Sequence, residues 1–424
     1  GSPVLIENST FSGNKVTGGA NGWASKGGGI YNKAGTVQII SSTLESNESA
    51  TLETPDELGT GGGIANSGGT VELTSSSVRS NIADHDCGGI RNENGSTLSM
   101  EGVDSALSQN EAGVSSGGLC NLESSAFISD TTISLNTAEG SGGGITDSDG
   151  NISLTRCMIS GNKAYDGYGG GIHDAFGTLH VVDSMVFSNY ADVSGGGLYS
   201  LLGTTHITGT TFSENAAADL PTGGTHDNHG GAMFLYSGTT HVVNSTISGN
   251  RADESGGGVF GDGATLSLSF TTIANNVADD DGDGQGEGGG IFDGAENPMI
   301  VNTILAGNVD RGGQAMECGG LGLLTYGDNI FLDRTGCTIV PVSGTNWAAD
   351  PLLGPIGDNG GETDTHALLA GSPAIDRVTN DCRTYQALVL TEDQRGVLRP
   401  IGAACDIGAY EAAIVHLPLV VRSW

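Results

Sequence analysis

Residues 142–162 read GGGITDSDGNISLTRCMISGN, and this stretch decides the fold. It carries two marks: Gly-Gly followed by the apolar Ile145, and the apolar Ile159 with Asn162 three positions later. Between the marks, apolar residues alternate with polar ones, which indicates strands with one buried face. A unit this short cannot bury its own apolar face, so we expect it to stack on copies of itself.

Both marks recur as far as residue 308. The apolar residue of the Gly-Gly mark is Ile30, Ile64, Ile90, Leu119, Ile145, Ile172, Leu198, Met233, Val259 or Ile291. The apolar residue of the Asn mark is Phe11, Leu44, Val78, Leu107, Ile133, Ile159, Val186, Phe212, Ile247, Ile273 or Leu305. The step from the first mark to the second is constant at 14 residues, as from 145 to 159, except for 17 from 90 to 107. Apart from that one unit, length varies between the Asn and the next Gly-Gly, which predicts that the insertions leave the fold at one corner.

The repeat predicts an all-β fold, a right-handed parallel β-helix (solenoid) of about 10–11 coils with a non-repeating C-terminal cap. The recurrent Asn is expected to form a hydrogen-bonded corner ladder, and the glycines a corner that needs positive φ. We divide the chain into β-helix repeats at 1–320, a cap at 321–412 and an apolar tail at 413–424. The cap is expected to cover the unpaired edge of the last coil.

Composition excludes some partners. The 424 residues include 73 Gly, and 49 acidic against 15 basic side chains give a formal charge of −34. Such a surface repels nucleic acid and anionic lipid. No apolar run reaches the roughly 18 residues of a membrane-spanning helix. The chain opens on Gly1-Ser2 directly before the strand-like Val4-Leu5-Ile6, and we expect a trimmed chain with further sequence upstream.

Two resemblances follow from these residues. The Gly-Gly-x-Ile and Phe-x-x-Asn signatures resemble the repeats of chlamydial polymorphic outer-membrane proteins, over roughly residues 8–310. Further on, the sequence resembles the choice-of-anchor Q domain of secreted bacterial β-helix proteins over about 320–412, through DPLLGP (350–355), DNGG (358–361), THAL (365–368), GSPAID (371–376), DQRG (393–396), RP (399–400) and CDIGAYE (405–411). The resemblance implies an exported, surface-associated protein in which Cys318 pairs with Cys337 and Cys382 with Cys405.

The cysteines indicate an oxidising compartment. Seven are present, without a CxxC pair or zinc-ligand spacing, so disulfides are the favoured use. Cys87 and Cys120 are candidates for a bridge between neighbouring coils. Cys157 takes the place of Ser or Thr in other coils and is expected to be a small buried thiol.

The residue after each Gly-Gly mark is expected to face solvent. On four consecutive coils it is aromatic: Tyr199, Phe234, Phe260 and Phe292. Such a strip is suited to stacking on sugar rings or on a partner. Alternatively, the variable loops fold over it.

Two groups of side chains are candidate metal sites. Residues 279–287 read DDDGDGQGE and resemble the start of an EF-hand loop, which predicts a calcium site at Asp279, Asp281, Asp283 and Glu287; the alternative is a solvated acidic loop. The bidentate Glu position of such a loop falls on Gly290. The imidazoles of three successive coils are expected to form an outward row that either shares a transition metal or is simply solvated: His180, His206 and His241.

One group of residues is a candidate catalytic site. Glycoside hydrolases need two carboxylates about 5–9.5 Å apart, and Asp147 and Asp174 on adjacent coils, with His173 beside them, fit that spacing. However, the same position is Asn in the first four coils, so the pair is alternatively a corner ladder in which Asp replaces Asn. Because no lyase or hydrolase arrangement stands out, whether the protein is an enzyme stays open, and we favour no catalysis.

These observations predict an extracellular cell-surface β-solenoid that is structural or adhesive. End-to-end assembly into a homo-oligomer or filament is suggested by the apolar tail at 414–421 and the open N-terminal edge at Val4. The expected partners are a second copy and a glycan or other cell-surface ligand. The alternative is a polysaccharide-binding or polysaccharide-degrading β-helix protein, a lyase or a hydrolase.

Overall fold

A computed structural model describes residues 3–18, 25–51, 58–219, 227–314 and 316–412. It confirms the predicted parallel β-helix: successive coils lie directly over each other, and their strands pair in parallel. No helix in these described ranges is long and apolar enough to cross a membrane. The predicted tail, 413–424, lies outside the described residues.

Sheet 1 consists of the strands that begin at the Gly-Gly mark. Each pairs with its counterpart one coil on, so that Ile145 lies beside Ile172. Its eleven strands are Ile30–Lys33, Ile64–Ser67, Ile90–Glu93, Leu119–Leu122, Ile145–Ser148, Ile172–Ala175, Leu198–Leu201, Met233–Tyr236, Val259–Asp262, Ile291–Asp293 and Cys318–Gly320.

Sheet 2 carries two strands of every coil and has 24 strands. Its first column is Val4–Glu7, Thr36–Ile40, Thr70–Thr74, Asn151–Thr155, Thr178–Val182, Thr204–Thr208, Thr239–Val243, Thr265–Ser269, Met299–Val301, Leu323–Tyr326 and Ile339–Pro341. Its second column is Thr10–Ser12, Thr43–Glu45, Ser77–Arg79, Met158–Ser160, Met185–Phe187, Thr211–Ser213, Thr246–Ser248, Thr272–Ala274, Ile304–Ala306, Asn329–Phe331 and Asn346–Ala348. Two long strands span both columns, Thr97–Ser108 and Ser125–Ser134.

Sheet 3 is made of short strands that follow the Asn mark. They are Lys15–Thr17, Glu48–Ala50, Ile82–Ala83, Glu111–Ala112, Thr137–Ala138, Lys163–Ala164, Tyr190–Ala191, Ala216–Ala217, Arg251–Ala252, Val277–Ala278 and Val309–Asp310. The segment from sheet 3 to the next sheet 1 strand ranges from short, as from Ala138 to Ile145, to long, as from Ala217 to Met233. The insertions therefore leave at one corner, as predicted; we call it the loop corner.

The core is a continuous apolar column inside the coils. In one coil, Ile145, Ile152, Leu154 and Ile159 all point inward and are buried. Every other coil contributes equivalent residues to the same cluster. Stacking therefore removes from water the apolar face that no single coil can bury, which is the main stabilising term of the fold.

The predicted Asn ladder is present and buried. The side-chain amide of Asn162 donates to Asn189 Oδ1 at 2.9 Å and to Ile133 O at 3.0 Å. Its own Oδ1 accepts the backbone and side-chain N–H groups of Asn136 at 3.1 and 2.9 Å. The pattern runs from Asn14 to Asn308, where the carboxylate of Glu317 accepts the last amide.

The two glycines of the mark are required by close approach of stacked backbones and not, as predicted, by positive φ. A Cβ on Gly143 would lie 2.5 Å from Gly170 O in the next coil, and one on Gly144 would lie 2.5 Å from Gly171 O. Positive φ falls instead on the residue before the mark, +73° at Gly142, and Cys87 and Ser116 take that place in other coils.

The parallel pairing extends beyond the predicted boundary at residue 320. Leu323–Tyr326 pairs with Ile339–Pro341, and Asn329–Phe331 pairs with Asn346–Ala348. The two final strands have no further strand partner among the described residues, and Val340 and Trp347 are exposed on them. The edge that we expected the cap to cover therefore carries no further strand among the described residues, although Arg377 lies 5.1 Å over the Trp347 ring.

Residues 349–412, here named the C-terminal lobe, pack against the side of the solenoid. The lobe contains an antiparallel hairpin, Leu353–Gly357 with Thr365–Leu368. Gln394 donates to Thr211 Oγ1 at 2.8 Å and accepts from Thr246 Oγ1 at 2.6 Å. The lobe also buries apolar residues against sheet 2, among them Phe270, Ile304, Ile330, Ala374 and Ile407. The lobe therefore supports several coils from the side. This corrects the expectation that it covers the last coil as a cap.

The interior of the lobe is built around a buried arginine. The Arg399 guanidinium donates to Asp406 O at 2.9 Å and Gly408 O at 2.7 Å, and it pairs with the Glu411 carboxylate at 3.2 Å. It also lies 4.8 Å from the Phe270 ring centroid, a cation–π contact with the solenoid. The DQRG, RP and CDIGAYE motifs therefore meet in one buried network.

Three disulfides are formed. Cys318 is bonded to Cys337 and Cys382 to Cys405, the two pairs implied by the resemblance. The bridge between Cys87 and Cys120 joins adjacent coils. Cys157 is the free thiol among the described residues, and burial raises its pKa to about 11, which agrees with an inert buried thiol.

Candidate functional site

The outer face of sheet 1 carries a column of stacked aromatic rings. Tyr199, Phe234, Phe260 and Phe292 follow one another with ring centroids 5.1, 4.9 and 5.2 Å apart and nearly parallel planes. His173 continues the column below Tyr199 at 5.3 Å. The coil spacing thus sets the ring spacing, and each ring covers the face of the next.

Three of the four side chains are covered, in line with the alternative that the variable loops fold over the strip, whereas Phe292 is half-buried. Tyr199, Phe234 and Phe260 are only 8, 9 and 8% exposed, because residues of the loop corner cover them. The loop residue His229 lies 4.2 Å above the Phe260 ring, nearly parallel to it. Since ring faces contact each other, a ligand on this surface would meet ring edges rather than stack on open faces.

A cavity of about 460 Å³ lies between the ring column and the loop corner. Tyr199, Phe234 and Phe260 form its apolar wall, and Asp227 and Asp262 add carboxylates. A concave apolar wall with a few polar groups is the usual form of a small-ligand site. The cavity suits a ligand that has an apolar side and hydroxyl or ammonium groups for the two carboxylates.

Two titratable side chains of this cavity are held neutral. His229 Nδ1 accepts the N–H of Ser255 at 3.1 Å, which leaves the ring proton on Nε2. Burial lowers the pKa of His229 and raises the pKa of Tyr199 to about 12. The net charge of the cavity at neutral pH therefore comes from its aspartates, whose sign favours a neutral or cationic ligand.

The candidate catalytic residues lie inside the solenoid. Asp147 and Asp174 are fully buried neighbours in sheet 1, and Asn121 donates to Asp147 Oδ1 at 2.7 Å. They therefore continue the ladder of Asn32, Asn66, Asn92 and Asn121, the second of the two interpretations given by the sequence. Neither carboxyl group is open to a polysaccharide chain.

His173 does not complete a catalytic group with these carboxyls. Its ring is part of the aromatic column, and burial lowers its pKa to about 4. Strand residues alternate between faces, so His173 lies on the outer face of sheet 1 while its neighbour Asp174 points inward. The three residues are adjacent in sequence and register but lie on opposite sides of the backbone.

The acidic loop brings three of its four predicted ligands together. Single carboxylate oxygens of Asp279, Asp281 and Asp283 lie within 4.8 Å of one another. Glu287 is not in this group; its N–H donates to Ser255 Oγ at 3.1 Å. Sequence reasoning missed Glu254, one coil earlier, whose pKa is raised to about 7 by burial and by the charges of Asp283, Asp227, Asp281 and Asp279.

The outward His row is confirmed as a stack on sheet 2. The rings of His180 and His206 are 4.9 Å apart, and those of His206 and His241 are 5.4 Å apart. His241 Nδ1 lies 2.7 Å from Ser267 Oγ and also 2.7 Å from Gln386 Nε2 of the C-terminal lobe. Burial lowers the pKa values of His206 and His241, which favours the neutral form of these two rings.

One comparison with known proteins gives a match. The Chlamydia polymorphic membrane protein repeat matches residues 8–33, which contain the first Asn mark and the first Gly-Gly mark. The match supports the predicted repeat type in this unit and points to a cell-surface or outer-membrane protein. No curated protein and no solved structure matches the chain.

Proposed function

We propose that this protein is an exported, non-catalytic β-solenoid of the cell surface that acts as an adhesin through its loop corner. The observation that carries the proposal is the cavity beside the ring column, where variable loops, aromatic side chains and two carboxylates meet. Three disulfides support an oxidising compartment outside the cytoplasm. Burial of Asp147 and Asp174 removes the carboxylate pair that would favour a hydrolase.

The chemistry of the cavity selects the ligand class. Carboxylates accept hydrogen bonds from hydroxyl and ammonium groups, and ring edges pack against the apolar face of a sugar. The formal charge of −34 disfavours uronates and other polyanions. The proposed ligand is therefore a neutral or amino-sugar glycan.

A glycan array tests this proposal. We expect the full chain to bind a set of neutral or amino glycans. Asp262→Asn should weaken binding at least about tenfold, since a hydrogen bond to a charged group contributes about 1.5–3 kcal/mol. Tyr236→Ala, which removes an exposed aromatic side chain that also lines the cavity, should weaken binding too. Phe127→Ala, at an exposed position of sheet 2 away from the cavity, is the matched control and should bind like the parent. Absence of binding, or equal binding by all variants, would refute the adhesin. Release of reducing sugar or unsaturated uronate would favour the enzyme alternative.

We also propose that the solenoid associates end to end. The strands Ile339–Pro341 and Asn346–Ala348 support this, because no further strand pairs with them among the described residues, and their edge is placed to add the strands Val4–Glu7 and Thr10–Ser12 of a second copy. Electron microscopy at rising concentration should show filaments that Val340→Lys/Trp347→Lys abolishes and the control Leu202→Lys retains. Single particles at all concentrations would contradict the assembly.

The C-terminal lobe is proposed to be a domain of the choice-of-anchor Q type. Support comes from the way its quoted motifs share one buried network around Arg399 and Gln394. The lobe is held together by its own buried hydrogen bonds and also hydrogen-bonds to sheet 2. Such an arrangement suits a surface protein whose solenoid must resist mechanical force.

A further inference from the structure

Three of the four carboxylates in the acidic loop at residues 279–284 have no basic partner among the described residues. Asp279, Asp281 and Asp283 bring carboxylate oxygens within 4.8 Å of one another. None of the ion pairs among the described residues involves them: the neighbouring Arg251 and Arg311 both bind Asp280 instead. Like charges this close repel strongly, so the arrangement calls for a proton or a cation between the carboxylates.

Asp279 supplies a second observation that points to a ligand. Its side chain is fully buried, directly after the strand Val277–Ala278. One oxygen, Oδ1, accepts the N–H of Gly284 at 2.9 Å, whereas Oδ2 has no hydrogen-bond partner although it is buried. A buried carboxylate oxygen left without a partner costs free energy, which a bound cation would recover.

The other two carboxylates of the group, Asp281 and Asp283, are also fixed by hydrogen bonds, but water can reach them. Asp281 and Asp283 are exposed, and each accepts a backbone N–H two residues later, from Asp283 at 3.3 Å and from Gln285 at 2.9 Å. The site thus combines one rigid buried carboxylate on the solenoid with two carboxylates that a cation can reach from water.

We propose that Asp279, Asp281 and Asp283 bind one calcium ion, with water completing its coordination. Calcium takes six to eight oxygen ligands in flexible geometry, whereas magnesium demands a near-ideal octahedron and gives up its water reluctantly. A loop with two exposed ligands allows the flexible coordination of calcium but does not impose the octahedron that magnesium needs. The ligand set contains no nitrogen or sulfur, which disfavours zinc and copper.

Calorimetry on the full chain tests the site. After treatment with a chelator, titration with calcium chloride is expected to show one site with a dissociation constant of ~0.1–1 mM, the range of extracellular calcium modules. Magnesium should bind at least about tenfold more weakly. Calcium should also raise the thermal unfolding temperature, because it binds the folded loop only.

Two variants keep the proposal falsifiable. Asp281→Asn and Asp281→Asn/Asp283→Asn change exposed side chains, so folding is not at stake, and they should weaken calcium binding about tenfold or more. Asp149→Asn, an exposed aspartate elsewhere, should bind like the parent. No calcium heat up to ~10 mM, or equal heat in the double variant, would overturn the site. Because no glycan is present in this experiment, its failure would leave the adhesin proposal standing.

Discussion

Replacing Asn162 with alanine is expected to lower the free energy of unfolding by about 3–5 kcal/mol. Asn162 lies in the middle of the buried ladder and accepts two N–H groups of Asn136 through its Oδ1. Alanine would leave both N–H groups buried without a partner, at about 1–3 kcal/mol each. It would also remove the bonds to Ile133 O and Asn189 Oδ1 and leave a small cavity.

Urea denaturation, followed by circular dichroism, measures this effect. The matched control is Asn14→Ala: the same residue type at the exposed start of the same ladder, where the side chain donates only to Asn47 Oδ1. That change should cost less than about 1 kcal/mol. Asn162→Asp should also destabilise the fold: a carboxylate can still accept from Asn136, but it cannot donate to Ile133 O or Asn189 Oδ1 and would be a buried charge facing two acceptor oxygens. Equal stability of the parent and Asn162→Ala would show that the ladder is incidental to the fold.

Hydrogen exchange locates the damage. A solenoid is held by contacts between neighbouring coils, so loss of one rung should expose amides in the flanking coils first. We expect faster exchange around Asn136 and Asn189 and unchanged exchange near Asn14. Uniform acceleration along the chain would instead indicate one global unfolding unit.

The fold was predictable because the repeat fixes each coil internally. With 14 residues from Ile145 to Ile159, the positions of the strands and of the corner between them follow, and stacking places each residue beside its counterpart. The Asn ladder and the common corner for insertions follow from the same regularity. Alternation of apolar residues then assigns the inner and outer faces.

The C-terminal lobe was not predictable in position, because it has no period. Gln394 contacts Thr211 across 183 residues of sequence, and nothing local to either residue indicates that contact. The motifs predicted a compact unit, and the unit is there. Its docking on the side of sheet 2 depends on surface shape and on buried hydrogen bonds that only the folded chain defines.

The sequence predicts which residues form the ring column, but not how far the loops bury them. The period places Tyr199, Phe234 and Phe260 in one column, but burial by loop residues such as His229 depends on loops of irregular length. Glu254 was missed for a similar reason: it lies on a different loop from Asp283, and only loop conformation brings their charges together. The strand register predicts which residues of successive coils lie beside each other. The conformation of the loop corner depends on how its loops pack, which the repeat does not specify.

Asp147→Asn is expected to raise the free energy of unfolding, and the gain should grow as pH rises. Asp147 and Asp174 are stacked, buried carboxyls; Asp147 Oδ2 and Asp174 Oδ1 have no hydrogen-bond donor. Burial, and then the charge of Asp174, raise the pKa of Asp147 to about 8, and burial raises that of Asp174 to about 6. An asparagine at position 147 would still accept from Asn121 and would donate to Asp174, which extends the ladder by one rung.

The direction of the pH dependence follows from these raised values. Between about pH 4, the ordinary range of Asp, and pH 8, the folded parent binds more protons than the unfolded chain, so its stability falls as pH rises through this window. The asparagine of the variant would not titrate. We therefore expect little difference between the two proteins near pH 4 and a gain of about 2–5 kcal/mol for Asp147→Asn above pH 8, since one pKa unit corresponds to 1.36 kcal/mol.

Urea titrations from pH 4 to pH 9 check this expectation, with Asp104→Asn as the exposed control. The control should follow the parent at every pH. A variant that is less stable than the parent at pH 8 would show that the carboxyl pair is relieved in some other way, for example by a bound cation. Because both members of the pair are buried away from the loop corner, the stabilised variant should bind calcium and glycan like the parent, which separates the stability of the solenoid from the chemistry of its surface.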